Sequence, residues 1–125
     1  WPIKSFVHDI VKLPIIKNFD AIYSLDVLEH IKPKDEIMFF KNTIKSLNKK
    51  KGVFICGMPS LESQKYASKI SKAGHVNCKS GLEFKKTLDK YFNHTFVFSM
   101  NDEVVHTGFF PMSHYLITIS CGIKG

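Results

Sequence analysis

Residues 19–31 read Phe-Asp-Ala-Ile-Tyr-Ser-Leu-Asp-Val-Leu-Glu-His-Ile, and this stretch decides the fold. Its first part is short and apolar, and it predicts a buried β-strand over about 20–24. Two carboxylates and a histidine follow within residues 26–30. In open α/β sheets, ligands bind in the crevice outside the carboxyl ends of the strands. The stretch therefore predicts a strand of such a sheet with a functional site at its end.

The segment after this strand predicts a helix over about 33–48. Pro33 suits a first helical position, acidic residues follow it, and lysines gather near the end, as the helix dipole favours. A buried stripe is expected from helical spacing, and it comprises Ile37, Phe40, Ile44 and Leu47. Gly52 then ends the turn before a second buried strand over 53–56.

The remaining segments complete an alternating pattern. Upstream, residues 5–8 predict a short strand. Residues 61–73 favour a helix whose buried set comprises Tyr66, Ala67 and Ile70. Capping-box spacing at Ser80 and Glu83 predicts a helix over 81–92, and strands follow over 95–100 and 115–121. A direct strand-to-strand connection indicates an antiparallel pair, so we expect an α/β fold whose mostly parallel sheet has one antiparallel strand near its C-terminal edge.

Composition narrows the class of protein. The chain has 125 residues and is 44% hydrophobic, which fits one domain with one core. It has no apolar run of the roughly 20 residues that span a bilayer and no secretory signal pattern at its N-terminus. The three cysteines are far apart and odd in number. These features predict a soluble protein of a reducing compartment, the cytoplasm, with no membrane partner.

The charge of the chain does not by itself indicate nucleic-acid binding. The net charge is +7, but every one of the 18 basic residues is lysine. Proteins rely on arginine forks to recognise phosphate and guanine. We therefore expect no nucleic-acid partner.

The stretch 19–31 resembles the fourth-strand motif of class I S-adenosylmethionine-dependent methyltransferases, in which an FD-hydrophobic strand followed by VLEHI is frequent. By the same resemblance, residues 8–10 match the end of the third strand, 52–55 the fifth strand, and 95–100 with 115–121 the closing antiparallel hairpin. The resemblance implies a truncated, Rossmann-like class I methyltransferase fold, with 1–125 as a single partial domain. The family's Gly-x-Gly loop does not occur, which implies a fragment that is inactive alone.

The resemblance implies S-adenosylmethionine as cofactor and assigns four residues to it. Asp9 matches the acidic position that accepts from the adenine amino group, and the backbone amide of Ile10 meets a ring nitrogen. Ser24 and Leu25 match the strand end whose backbone carbonyl faces the methionine amine. For Asp9, a role as a helix or turn cap is the structural alternative.

The three titratable residues after the strand leave two roles open. Asp26 and Glu29 stand at i and i+3, and His30 follows, so three ligands could converge on a divalent cation. Ubiquinone-type O-methyltransferases have a similar cluster. Alternatively, Glu29 and His30 hold the turn through backbone hydrogen bonds. We assign no metal here, and we predict His30 as the catalytic base toward a substrate hydroxyl. His75 and His106 lie in loops that, by analogy, flank the substrate side.

The resemblance predicts an enzyme that transfers a methyl group to a small-molecule acceptor, and the alternative is a non-catalytic α/β interaction module. The family's strand order, 3-2-1-4-5-7-6, makes strand 20–24 an exposed edge once strands 1 and 2 are absent. Such an edge favours pairing. We expect either that residues 3–9 dock beside it or that a second copy pairs with it in a homodimer.

Overall fold

A five-stranded sheet forms the framework of the chain, with its strands in the order β1-β2-β5-β3-β4. The computed structural model describes residues 2–125. The strands are β1 (Ala21–Leu25), β2 (Val53–Pro59), β3 (Phe92–Asn101), β4 (Val104–His106) and β5 (Tyr115–Ile123). β1 and β2 are parallel, and the other three neighbouring pairs are antiparallel.

The α/β class is confirmed, but the sheet is mixed rather than mostly parallel. β3 runs in the direction of β1 and β2, yet it is separated from them by the antiparallel β5. The predicted antiparallel pair is therefore present and occupies the middle of the sheet. β4, a three-residue strand that closes a hairpin with β3, was not predicted. β3, β4 and β5 follow one another without a crossover helix, and such direct connections favour antiparallel pairing.

Three α-helices accompany the sheet: α1 (Glu36–Ser46), α2 (Lys69–Gly74) and α3 (Gly81–Leu88). Short 3-10 turns lie at Leu28–His30, Pro33–Asp35, Glu62–Tyr66 and Phe110–Met112. Among the described residues, no helix is both long enough and apolar enough to cross a membrane.

The core lies between one face of the sheet and the helices α1 and α3. Alternation along β2 turns Phe54, Cys56 and Met58 inward, and all three are fully buried. The Phe54 ring lies edge-to-face against Phe40 of α1 and stacks on Phe92, with ring centroids 6.4 and 6.2 Å apart. This aromatic cluster packs α1 against β2 and β3.

Helix α1 is shorter than predicted, and its buried stripe is different. Pro33 begins a 3-10 turn, so the α-helix starts at Glu36. Phe40 and Leu47 are buried as expected, but Ile37 is exposed and Phe39 is buried in its place. The buried face is therefore rotated relative to the predicted stripe, because contact with the sheet, rather than hydrophobicity alone, selects the face.

The single helix predicted over 61–73 is wrong. The segment divides into a 3-10 turn and α2, which begins at the Ser68 N-cap. Two members of its predicted buried set, Tyr66 and Ile70, are exposed. The segment had little amphipathic pattern, so no apolar stripe holds it against the core as one helix.

Helix α3 forms as predicted at its start. The Ser80 hydroxyl accepts from the Glu83 amide, and the Glu83 carboxylate accepts from the Ser80 amide, which completes the capping box. Phe84 and Leu88 are fully buried. The helix ends at Leu88, before Phe92 begins β3.

The strand predicted over 5–8 does not form, and residues 2–9 are exposed and irregular. β-propensity needs a neighbouring strand to yield a ladder, and these residues have no such neighbour among residues 2–125. Residues 3–9 therefore do not pair with β1 as a strand, although Phe6 and His8 line a groove along it. β1 itself is an edge strand, as predicted. Pairing of this edge with a second copy stays a prediction.

Candidate functional site

The candidate site begins where β1 ends beside β2. Leu25 is in register with Gly57, and the Asp26 amide donates to the Gly57 carbonyl at 3.1 Å. Asp26 then adopts a left-handed conformation, with φ of 54°. This turns the chain out of the strand and into the 3-10 turn Leu28–His30. The turn points Leu28 and Glu29 into the protein and leaves His30 at the surface.

Glu29 is a buried carboxylate with an unused oxygen. Its residue is 1% exposed, and its Oε2 atom has no hydrogen-bond partner within the described part of the chain. Burial raises the pKa of Glu29, while its own backbone amide and His30 act in the opposite direction. A buried acceptor without a donor is costly. This oxygen is therefore available to a positively charged ligand.

Two histidines beside Glu29 each have one ring nitrogen already engaged. The Nδ1 atom of His30 lies 2.9 Å from the carbonyl oxygen of Gly74, and Nδ1 of His75 lies 2.7 Å from Oε1 of Gln64. These oxygens only accept hydrogen bonds, so each Nδ1 carries the hydrogen. In the neutral form of each ring, Nε2 then carries the lone pair. A second partner that fixes the tautomer in this way is the usual arrangement for metal-ligating histidines.

The three side chains form a group that could hold a metal ion. One donor atom each from Glu29, His30 and His75 lies within 4.8 Å of the others. Nε2 of His30 is 3.8 Å from Oε1 of Glu29, and the centroids of the two imidazole rings are 5.1 Å apart. Ligands about 2.1 Å from a shared metal lie about 3 to 3.5 Å apart. Closing the group onto an ion would need side-chain shifts of about one ångström.

Asp26 lies outside this group. The third member is His75, whereas the sequence had suggested Asp26 with Glu29 and His30. The i, i+3 argument fails because Asp26 precedes the helical turn and has a positive φ. Its carboxylate instead lies beside the hydroxyl of Tyr115, whose pKa is raised chiefly by burial and then by Asp26. The family resemblance placed His75 in a loop on the substrate side, but no local pattern joined it to residues 29 and 30, because they are distant in the chain.

A groove of about 530 Å³ opens along β1 on the side of the N-terminal segment. Three of the four residues assigned to the cofactor line it: Ile10, Ser24 and Leu25. Ser24 contributes a buried hydroxyl without a partner among residues 2–125. The volume is within the usual range of small-molecule sites. The groove ends at Val27, three residues before His30.

Asp9 is the assigned residue that does not line this groove. Its carboxylate accepts from the Val11 amide at 3.1 Å and pairs with Lys12 at 3.4 Å. The turn that follows is tied to α1 by Asn42, whose side-chain amide donates to the Ile10 carbonyl at 2.8 Å. Asp9 therefore acts as a turn cap in this structure, which was the alternative role considered for it.

The fold defines the class of structure to which the chain is similar. The sheet, with a parallel pair followed by an antiparallel hairpin, is methyltransferase-like. A solved structure described as the crystal structure of small RNA methyltransferase HEN1 matches with a TM-score of 0.66 and 14% sequence identity. The match covers 90% of this chain and 15% of that one. At this identity the likeness shows the fold alone. No family model and no curated protein matches the sequence.

Proposed function

We propose that the chain is part of an S-adenosylmethionine-dependent methyltransferase and contains its catalytic site. In this site, Glu29, His30 and His75 hold a divalent cation. The observation that carries the proposal is the group formed by the buried Glu29 carboxylate and the rings of His30 and His75, whose Nδ1 atoms are already engaged. This group lies at the carboxyl end of β1, where open α/β sheets bind ligands.

The donor set favours a particular kind of cation. Imidazole nitrogen suits first-row transition metals, whereas Mg²⁺ and Ca²⁺ prefer oxygen ligands. One carboxylate and two imidazoles therefore favour a first-row transition-metal ion over Mg²⁺, and Mn²⁺ and Co²⁺ serve as probes. Such a cation, when bound, acts as a Lewis acid that lowers the pKa of an acceptor hydroxyl. His30 would then serve as a ligand instead of the catalytic base that the sequence predicted.

The groove along β1 supplies the cofactor side of the proposal. Ile10, Ser24 and Leu25 would contact S-adenosylmethionine, as the family resemblance implies, and Asp9 would join them only if its turn rearranged. The cofactor, if bound there, would supply the methyl group: the acceptor oxygen would bond to the methyl carbon as the carbon–sulfur bond breaks. S-adenosylhomocysteine and the hydroxyl proton would then both leave the site. The chain's own contribution is positioning and exclusion of water.

A small-molecule hydroxyl is the acceptor that we propose. The absence of arginine argues against nucleic acid, since planar arginine forks dominate phosphate recognition. One observation favours a second candidate, a small RNA, because the HEN1 structure of the same fold is described as a small RNA methyltransferase. Methyl transfer from labelled cofactor to a catechol and to a short single-stranded RNA distinguishes these acceptors.

Calorimetric titration of the chain with S-adenosylhomocysteine, with and without Mn²⁺, tests the proposal. We expect Mn²⁺ to bind to the wild-type chain and not to a Glu29→Gln variant. Micromolar binding of S-adenosylhomocysteine would mean that the Ile10 and Ser24–Leu25 half of the site suffices. If neither ligand binds, the chain is better described as a non-catalytic α/β module. If the cofactor product binds but Mn²⁺ does not, His30 returns as the general base.

A further inference from the structure

The segment between α2 and α3 brings His75 to the other two donors, and it is held by polar contacts. Residues 75–80 contain no helix or strand beyond an isolated bridge at Lys79. Val76 is about half exposed, and Cys78 is only partly buried. Apolar packing therefore contributes little to the position of this segment, and its hydrogen bonds must determine where His75 lies.

The first half of the segment is bonded to the residues it meets in the site. The backbone amides of Val76 and Asn77 both donate to the carbonyl oxygen of Glu29, at 2.8 and 3.0 Å. The Gly74 carbonyl accepts from His30. The residues on both sides of His75 are thus attached directly to the two other proposed ligands.

The second half is anchored by a ring of hydrogen bonds that involves the first residue of α1. Lys79 Nζ lies 2.7 Å from Oε2 of Glu36, and the Asn77 side-chain amide donates to the same oxygen at 2.8 Å. Lys79 Nζ also donates to Oδ1 of Asn77 at 3.2 Å. Asn77 is buried, and the side chains of Glu36 and Lys79 are only about 15% exposed. We call these three residues the Glu36–Asn77–Lys79 ring.

The burial of this ion pair calls for an explanation other than stability. Removing two charges from water costs several kcal/mol per ion, and a well-packed apolar pair often stabilises a protein as much. A buried pair does, however, define geometry, because each charge tolerates few alternative positions. The ring joins a segment without regular structure to the rigid start of α1.

We propose that Glu36, Asn77 and Lys79 are positioning residues that hold His75 in the donor group. This inference rests on the proposed function, since it treats His75 as a ligand. None of the three belongs to the donor group, so the ring acts through the backbone of residues 75–77. Loss of the Glu36–Asn77–Lys79 ring should therefore make the orientation of the His75 imidazole less defined. It should change the free energy of unfolding of the whole fold less.

A double variant, Glu36→Leu with Lys79→Met, tests the proposal without leaving an unpaired buried charge. Its matched control is Asp89→Leu with Lys85→Met, which removes the pair, 3.1 Å apart, between Lys85 of α3 and the residue that caps that helix. We expect Co²⁺ affinity, measured by calorimetry and absorption, to fall about 10- to 100-fold in the first variant, as for other outer partners of metal ligands. The control should stay within about twofold of wild type. Equal affinity of the double variant and wild type would overturn the proposal.

A second readout separates this inference from the proposed function. Ring nitrogen NMR of His75 in the metal-free chain should show the Nδ1–H tautomer in the wild type and in the control. In the double variant it should show averaged tautomers. If the wild type binds no Co²⁺, the cation proposal fails, yet this readout still decides the positioning role. Unchanged His75 ring signals in a folded double variant would refute it.

Discussion

Glu29 shows how burial and charge combine at a single residue. Its carboxylate is buried and half satisfied, and its pKa is raised above the ordinary value of 4.5. Because the folded state then binds the proton more tightly than the unfolded state, the contribution of Glu29 to the free energy of unfolding is greatest at pH values below its unfolded pKa. It falls as the pH rises through the raised folded value. At neutral pH, Glu29 therefore destabilises the metal-free fold.

The Glu29→Gln variant should make this cost visible. In the presence of a chelator at neutral pH, we expect its thermal midpoint to lie a few degrees above that of wild type, because a neutral amide is cheaper to bury than a carboxylate. Added Mn²⁺ should stabilise the wild type, by about 2.7 kcal/mol at a hundred times its dissociation constant, and leave the variant unchanged. Thermal unfolding measures both. A variant that is less stable than wild type in chelator would contradict this account.

His75 gives a second prediction at the same scale. A His75→Ala variant should bind Mn²⁺ at least about tenfold more weakly, since even partners of metal ligands contribute 10- to 100-fold. His106→Ala is the matched control, because His106 lies in β4, at the opposite edge of the sheet from β1. Calorimetry of the two variants compares them directly. Equal losses in both would exclude a specific role for His75.

At the scale of elements, the sequence predicted correctly those features whose stabilising contacts lie within the segment itself. The capping box of α3 needs only Ser80 and Glu83, and it forms as the spacing predicted. The strand over 5–8 and the helix over 61–73 needed partners, and both predictions are wrong. An element whose stability comes from its neighbours cannot be recognised from its own residues.

The capping box provides a prediction for α3. Ser80→Ala should lower the free energy of unfolding by about 1 kcal/mol at neutral pH. Hydrogen bonds from Ser80 lower the pKa of Glu83, so the contribution of the wild-type cap is present above pH 4.5 and is lost as the pH falls through the lower folded value. Urea unfolding at neutral and at acidic pH should therefore show a difference between the proteins that shrinks in acid. A constant difference would indicate that Glu83 does not take part.

At the scale of the whole molecule, one face of the sheet is open. In register across four strands, Tyr23, Ile55, Ile119 and Phe96 form an apolar row on the face opposite the core. Tyr23 and Phe96 are 75% and 56% exposed. The outer edge of β1 also has no strand partner among residues 2–125. Such surfaces favour association.

We expect the chain to dimerise through the β1 edge, and a charge at that edge should prevent it. Tyr23→Lys places a charge on the edge strand, where lysine discourages pairing. Tyr66→Lys changes an equally exposed tyrosine away from that edge and serves as control. Sedimentation at high protein concentration should give a dimer for wild type and control and a monomer for Tyr23→Lys. A monomeric wild type would remove the second-copy hypothesis.

By itself, the sequence determined the α/β class, the strand after Phe19, the start of α3 and the closing hairpin, because local periodicity and turn chemistry encode these features. It also indicated the carboxyl end of β1 as the place for a site, through the density of titratable residues there. Only the tertiary structure decided which residues share that site. His75 meets Glu29 and His30 through the backbone bonds of residues 74–77, and Asp26 turns away at a positive φ. Such contacts depend on how distant segments pack, and no local pattern records them.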